Sequence, residues 1–164
     1  MTPSSSPASQ EIFGFEQDFA GSLRCIPMCV RMKLDLTGIK LSLRQWSQFL
    51  PDERRDLLER ACVTPDEQNR YHAHLLSLIA QRCDAPPKPL PANEDHLWRD
   101  SAAIPDCVLQ QAASDGVSPP TREAWGSLTS LQRFALVKLA RSRHENENFV
   151  PAMREFGLLT TEPA

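Results

Sequence analysis

Fourteen prolines punctuate this 164-residue chain, and their placement decides what it can fold into. A proline inside a helix or a central strand removes a hydrogen bond and clashes with the preceding turn, so prolines collect at element ends. Several here sit where helices begin. Pro51 precedes Asp52 and Glu53. Thr64-Pro65-Asp66-Glu67 combines a capping Thr, Pro at the first helical position and Glu three residues after the cap. The acids there complement the positive end of the helix dipole. Pro105-Asp106 repeats the pattern, and Pro151 is expected to open the last helix in the same way. The prolines therefore read as punctuation between short helices.

Pro86, Pro87, Pro89 and Pro91 crowd the segment 84–93, which is expected to be an extended, semi-rigid connector between two halves. Each half has few apolar positions, so the two are expected to share one core. The domain organisation that follows is a flexible tail at 1–11, a single helical domain at 12–159 and a frayed end at 160–164.

Tyr71, Leu75, Leu76, Leu78 and Ile79 recur at helical spacing and predict a helix over about Pro65 to Arg82. Leu131, Phe134, Ala135, Leu136, Val137, Leu139 and Ala140 make a helix over about Ser130 to Arg143 apolar around most of its circumference, which marks it as the central, most buried one. Gly157 is expected to cap the final helix after Met153 and Phe156. Residues 30–43 allow two readings. Val30, Met32, Leu34 and Leu36 alternate with charged residues, and Ile39, Leu41 and Leu43 alternate with Lys40 and Ser42, as in a β-hairpin turning at Asp35–Gly38. Pro27 and Gly38 instead sit as the start and stop of a helix, with a second helix starting at Ser42, and this reading is favoured. The fold class is mostly all-α, a compact bundle of about six or seven short helices, with the hairpin around residues 30–43 as the rival. No repeat of 20–50 residues is visible.

Lys plus Arg is 18 and Asp plus Glu is 21, a balance of −3 that argues against a dedicated nucleic-acid binder. No apolar run approaches the roughly 20 residues of a membrane span. MTPSSSPASQ has neither the basic start nor the apolar run of a secretory signal. The odd number of cysteines (Cys25, Cys29, Cys62, Cys83 and Cys107) fits reduced thiols, and together these features predict a cytoplasmic protein.

Cys25 and Cys29 stand four apart, so a helix would place both on one face as two soft ligands, but a second ligand pair is lacking and buried apolar cysteines are the plainer reading. His72 and His74 point apart on a helix and are expected at the surface. His144 opens the polar run 144–148, in which Asn146 or Asn148 is expected to cap the next helix. The sequence has no Gly-rich phosphate loop, no G-x-S-x-G elbow, no H-E-x-x-H and no carboxylate pair that stands out as acid and base. Two basic stretches do stand out. Residues 22–48 hold Arg24, Arg31, Lys33, Lys40 and Arg44 against Asp35 alone, and residues 124–144 hold Arg133, Lys138, Arg141 and Arg143 against no acid. These are either solvated faces of amphipathic helices or a basic surface for an acidic partner. Trp46 and Trp125 lie near them, as core or as interface.

The block FGFEQDFAGSLRCIPMCVRMKLDLTGIKLSLRQWSQF, from Phe13, resembles the signature opening of the nitrate reductase-associated protein family. LQRFALVKLARSRHENENFVPAMREFGL, from Leu131 to Leu158, is similar to its closing block. The resemblance implies an accessory or maturation factor needed for an active assimilatory nitrate reductase, not the reductase itself. It supplies no catalytic residues. The matched polar positions, Arg24, Arg31, Lys33, Asp35, Arg133, Lys138, His144 and Asn146, leave the contact candidates as Arg24, Arg31, Lys33, Trp46, Arg133, Lys138, His144 and Asn146. Nitrate reductase is the expected partner, with molybdenum-cofactor biosynthesis proteins as further ones. No bound cofactor is expected, and the molybdenum cofactor is conceivable only as a transient ligand. Two rival readings are a carrier that holds that anionic cofactor with Arg24, Arg133, Lys138 and His144, and a thiol or metal sensor built on Cys25 and Cys29.

Overall fold

The computed structural model describes residues 12–90, 97–143 and 145–159. The expectations for the tail at 1–11, the end at 160–164 and connector residues 91–93 lie outside them. The chain forms two compact units, Met1–Glu94 and Asp95–Ala164.

In the first unit a 3₁₀ turn (Gly14–Glu16) runs into α1 (Gln17–Ala20). Then come α2 (Met28–Thr37), β1 (Ile39–Lys40), α3 (Leu43–Gln48), α4 (Pro51–Glu59), α5 (Pro65–Arg82) and β2 (Lys88–Pro89). The helical reading of residues 28–37 holds. Pro27 is the N-cap residue, and the first helical N–H, that of Met28, donates to Glu16 Oε1 at 3.1 Å. Glu16 is buried and its other oxygen accepts from Phe13 N at 3.0 Å, so one carboxylate fixes the entry of the chain and the positive end of α2. Gly38 ends α2 at φ 75°, with its N–H on Leu34 O at 2.9 Å. Ser42 and Gln45 then form a reciprocal cap at 3.0 Å each way, starting α3 where expected. The rival hairpin is replaced by a longer-range pairing. Ile39 pairs with Pro89 and Lys40 with Lys88, so the proline-rich connector contributes a strand of its own. Helix α5 spans the predicted residues, with the Thr64–Glu67 cap in place. Trp46, Tyr71, Phe13, Leu57, Leu75 and Ile79 fill the core of this unit.

The second unit holds a 3₁₀ turn (Leu97–Arg99), α6 (Asp106–Ser114), α7 (Arg122–Ser127), α8 (Ser130–Arg141), a 3₁₀ turn (Asn146–Asn148) and α9 (Phe149–Glu155). Helix α8 is central, as its pattern predicts, packing on α6, α9 and both 3₁₀ turns. Helix α9 begins two residues before Pro151, because the 3₁₀ turn delivers the chain already in helical geometry. Pro151 is tolerated in that first turn, where an N–H has no intrahelical partner. Asn148 occupies the cap position, but its side chain makes no capping bond. Gly157 does close α9, at φ 77°, with Leu158 N on Met153 O at 2.9 Å and its own N–H on Arg154 O at 3.1 Å.

A Cβ added at Gly38 would meet nothing within 4 Å, so its cost there is purely conformational. Gly38→Ala is expected to destabilise the first unit by about 1 kcal/mol, seen as a lower urea midpoint at unchanged m-value.

Candidate functional site

The candidate contact residues separate into those held inside the fold and those left outside. Lys33 is inside, at 3% exposure. It lies on α2 in the stripe Cys29, Val30, Lys33 and Leu34, all buried. Its Nζ donates to Leu58 O at 2.7 Å and Arg60 O at 2.8 Å and stands 5.9 Å from the centre of the Tyr71 ring. Those carbonyls end α4, where the helix dipole is negative and carbonyls lack partners, so the ammonium supplies both charge and donors. Tyr71 Oη adds a bond to Leu57 O at 2.8 Å, tying α5 to the same helix end. Burial lowers the Lys33 pKa. The same burial pushes the Cys29 thiol up to about 12 and the Cys62 thiol up to about 11, from 9.0, with the Lys33 charge offsetting part of each rise.

Arg133 plays the matching part in the second unit. It is 7% exposed, and Nε donates to Trp98 O at 2.9 Å, Nη1 to Leu128 O at 2.6 Å and Nη2 to Ser130 Oγ at 3.4 Å. Leu128 is the C-cap residue of α7. A guanidinium thus closes one helix end and pins the Trp98 turn to α8.

Trp46 is wholly buried, and Trp125 likewise, so both belong to the core. Trp46 Nε1 donates to Leu23 O at 2.8 Å, and Arg54 Nη1 reaches the same oxygen at 3.4 Å. Leu23 is the only non-glycine among the described residues with positive φ, at 64°. Left-handed backbone disfavours a branched side chain, and here two donors on one carbonyl, with the Leu23 side chain buried, hold it. The next residue, Arg24, is exposed. Trp46 therefore positions the loop that displays Arg24.

Arg31 is half-buried, with Nε on Ile26 O at 3.3 Å. Lys138 is half-buried, its Nζ 5.4 Å from the centre of the Phe134 ring. Asn146 starts the 3₁₀ turn before α9, and His144 lies outside the described residues. Cys25 precedes α2, because the helix starts only after Pro27, so it does not share a helical face with Cys29. Cys29 itself is buried with a raised pKa, the reverse of a reactive thiolate. No group of three metal-ligating side chains occurs among the described residues.

Sequence reasoning missed a polar groove of about 500 Å³ between α4 and α5, lined by Asp52, Glu53, Asp56, Arg60, His74 and Ser77 among others. Asp56 Oδ2 takes Arg60 Nη2 at 3.0 Å and His74 Nε2 at 3.1 Å, and Glu53 holds Arg82 at 2.9 Å. The hydrogen bond from Arg82 keeps the Glu53 carboxyl below its usual pKa. The histidines do point apart, but to interhelical partners rather than to open solvent: His72 Nδ1 meets Thr37 O at 3.0 Å and His74 meets Asp56.

The family described as conserved nitrate reductase-associated protein matches residues 12–156. The chain belongs to that family. No curated protein and no solved structure matches the chain. The matched span takes in the opening block, all but the last two residues of the closing block, and the middle of the chain, including the groove. In this nitrate reductase-associated protein the charged signature residues thus divide into fold determinants, Lys33 and Arg133, and a displayed one, Arg24.

Lys33→Met is expected to cost about 3 kcal/mol, because a buried and a part-buried carbonyl lose their charged donor, whereas Arg24→Ala should change stability by less than about 0.5 kcal/mol; urea unfolding of both variants checks this. The thiols set a pH dependence. Cys29 and Cys62 hold their protons more tightly folded than unfolded, so their contribution is complete below pH 9.0 and is lost as pH rises toward 11–12. Tyr71, also raised, acts in the same direction, and Lys33, lowered, acts in the opposite one. The fall in urea midpoint between about pH 8 and 10 should therefore be shallower in Cys29→Ala than in the native chain.

Proposed function

We propose that the chain is a non-catalytic accessory factor that binds nitrate reductase and supports its assembly or activation. Membership of a nitrate reductase-associated family over residues 12–156 names the partner class. The observation that supports the contact is the loop at Leu23, where Trp46 Nε1 holds the carbonyl of a residue with positive φ and the next residue, Arg24, is exposed. A cation displayed from a braced backbone suits an acidic surface. Arg31, Lys138 and Asn146 are the other signature positions that keep surface for such a contact.

The cofactor-carrier reading fits the residues less well. Its set was Arg24, Arg133, Lys138 and His144. All three nitrogens of Arg133 already donate to protein acceptors. The sensor reading loses its thiolate, since Cys29 is protonated at neutral pH.

Tagged full-length chain, captured from cells growing on nitrate, is expected to recover nitrate reductase, and purified chain added to an extract lacking it should raise reductase activity. Arg24→Glu should lower recovery about tenfold at low salt while its melting temperature stays put. Undiminished recovery by that variant would remove Arg24 from the contact. No recovery by the native chain would overturn the binding role itself.

A further inference from the structure

The two-stranded sheet of the first unit places Lys40 directly opposite Lys88. Gly38 O accepts from Leu90 N at 3.0 Å, and bonded and unbonded pairs alternate in an antiparallel ladder. Ile39 and Pro89 therefore form the unbonded pair, where proline sacrifices no ladder bond. Lys40 and Lys88 form a bonded pair, with Cα atoms about 5.5 Å apart and side chains leaving the same face. Ile39 turns into the core at 3% exposure, so that face turns to solvent, and both lysines are exposed.

Like charges set directly opposite work against strand pairing. Neither lysine has an ion-pair partner among the described residues. Asp84, at the start of the connector, is already held by Arg44 Nη2 at 2.6 Å. The pairing stands because other contacts hold the connector down: Gln45 Nε2 donates to Ala85 O at 3.4 Å and Pro86 O at 3.3 Å, and Cys83 Sγ meets Gln45 O at 3.6 Å. An extended proline-rich segment is thus fixed so that it presents two uncompensated ammonium groups side by side.

We propose that Lys40 and Lys88 form a docking point for a pair of carboxylates on an acidic surface of nitrate reductase. The inference rests on the binding role above and gives it a second contact besides Arg24. A protein carboxylate pair suits this patch better than a phosphate group. The two ammoniums sit on long separate stems, whereas phosphate sites favour arginine forks and converging backbone N–H groups.

The test compares the native full-length chain with Lys88→Glu and Lys88→Gln, reading recovery of nitrate reductase at low and high salt together with melting temperature. Lys88→Glu puts opposite charges face to face, so its melting temperature is expected to hold or rise while recovery at low salt falls at least fivefold. Lys88→Gln should fall between the two, and native recovery should weaken as salt rises. If the native chain recovers the reductase and Lys88→Glu recovers it equally well, the docking point is overturned and the binding role stands. If Lys88→Glu loses recovery and melting temperature together, the lysine is structural and the proposal falls. If millimolar inorganic phosphate raises the melting temperature of the native chain but not of Lys88→Glu, the ligand is phosphate and the carboxylate assignment falls. If the native chain recovers no reductase, the binding role has failed first.

Discussion

A buried ammonium at the end of α4 is the constraint on which the first unit depends. Lys33 reaches two carbonyls that lie 25 and 27 residues further along the chain, so a single side chain joins α2 to α4, with Tyr71 of α5 closing over it. Burying a charge is costly unless donors and acceptors match, and here the negative end of a helix supplies the match. Arg133 solves the same problem in the second unit, joining α8 to the end of α7 and to a turn 35 residues earlier. Short helices have a large share of their backbone groups at unsatisfied ends. A chain cut into short helices by prolines therefore needs many such closures, and two of its signature cations serve as closures.

Much of the helical order was legible in the residues because the signals are local. Thr64-Pro65-Asp66-Glu67, Gly38 and Gly157 announce ends through chemistry confined to a few positions, and the structure uses each of them. The strand pairing of Ile39 and Lys40 was not legible. Its partner lies in a proline-rich segment nearly fifty residues away, which reads as a spacer, and only the register shows that Pro89 falls where no N–H is needed. The site was less legible still. Lys33 and Arg133 read as surface cations, either solvated or in contact with a partner, because a sequence shows a cation but not the distant carbonyls that will receive it. A signal existed in both cases. Lys33 continues the apolar stripe of Cys29, Val30 and Leu34, and Arg133 sits between Leu131 and Phe134, so each occupies a buried position by periodicity. A charge at such a position is more often an internal cap than a surface contact.

This division changes where recognition of a partner is to be sought. The tryptophan of the opening block is not a contact but a strut: its indole N–H grips a carbonyl whose backbone sits in an unfavourable region, and the exposed arginine follows directly. Substituting Trp46 would thus disturb the display of Arg24 from a distance, and loss of partner binding in such a variant would be misread as loss of an interface aromatic. The same caution applies to the carrier idea, whose central arginine is buried with each of its three nitrogens already donating to a protein acceptor.

The groups left on the outside have a common character. Arg24 follows a strained residue held by two donors, and Lys40 and Lys88 face each other across a ladder that would pair more readily with an acid at either position. In both places the fold carries a local cost that neighbouring contacts offset, and in both a basic residue is displayed from braced backbone on the first unit. Stability alone gives no reason for the lysine pair, since a glutamate at position 88 would relieve it, whereas the buried Leu23 side chain offsets its own backbone cost. Residues that lower stability while fixing an exposed charge are better explained by what approaches the surface than by what lies beneath it.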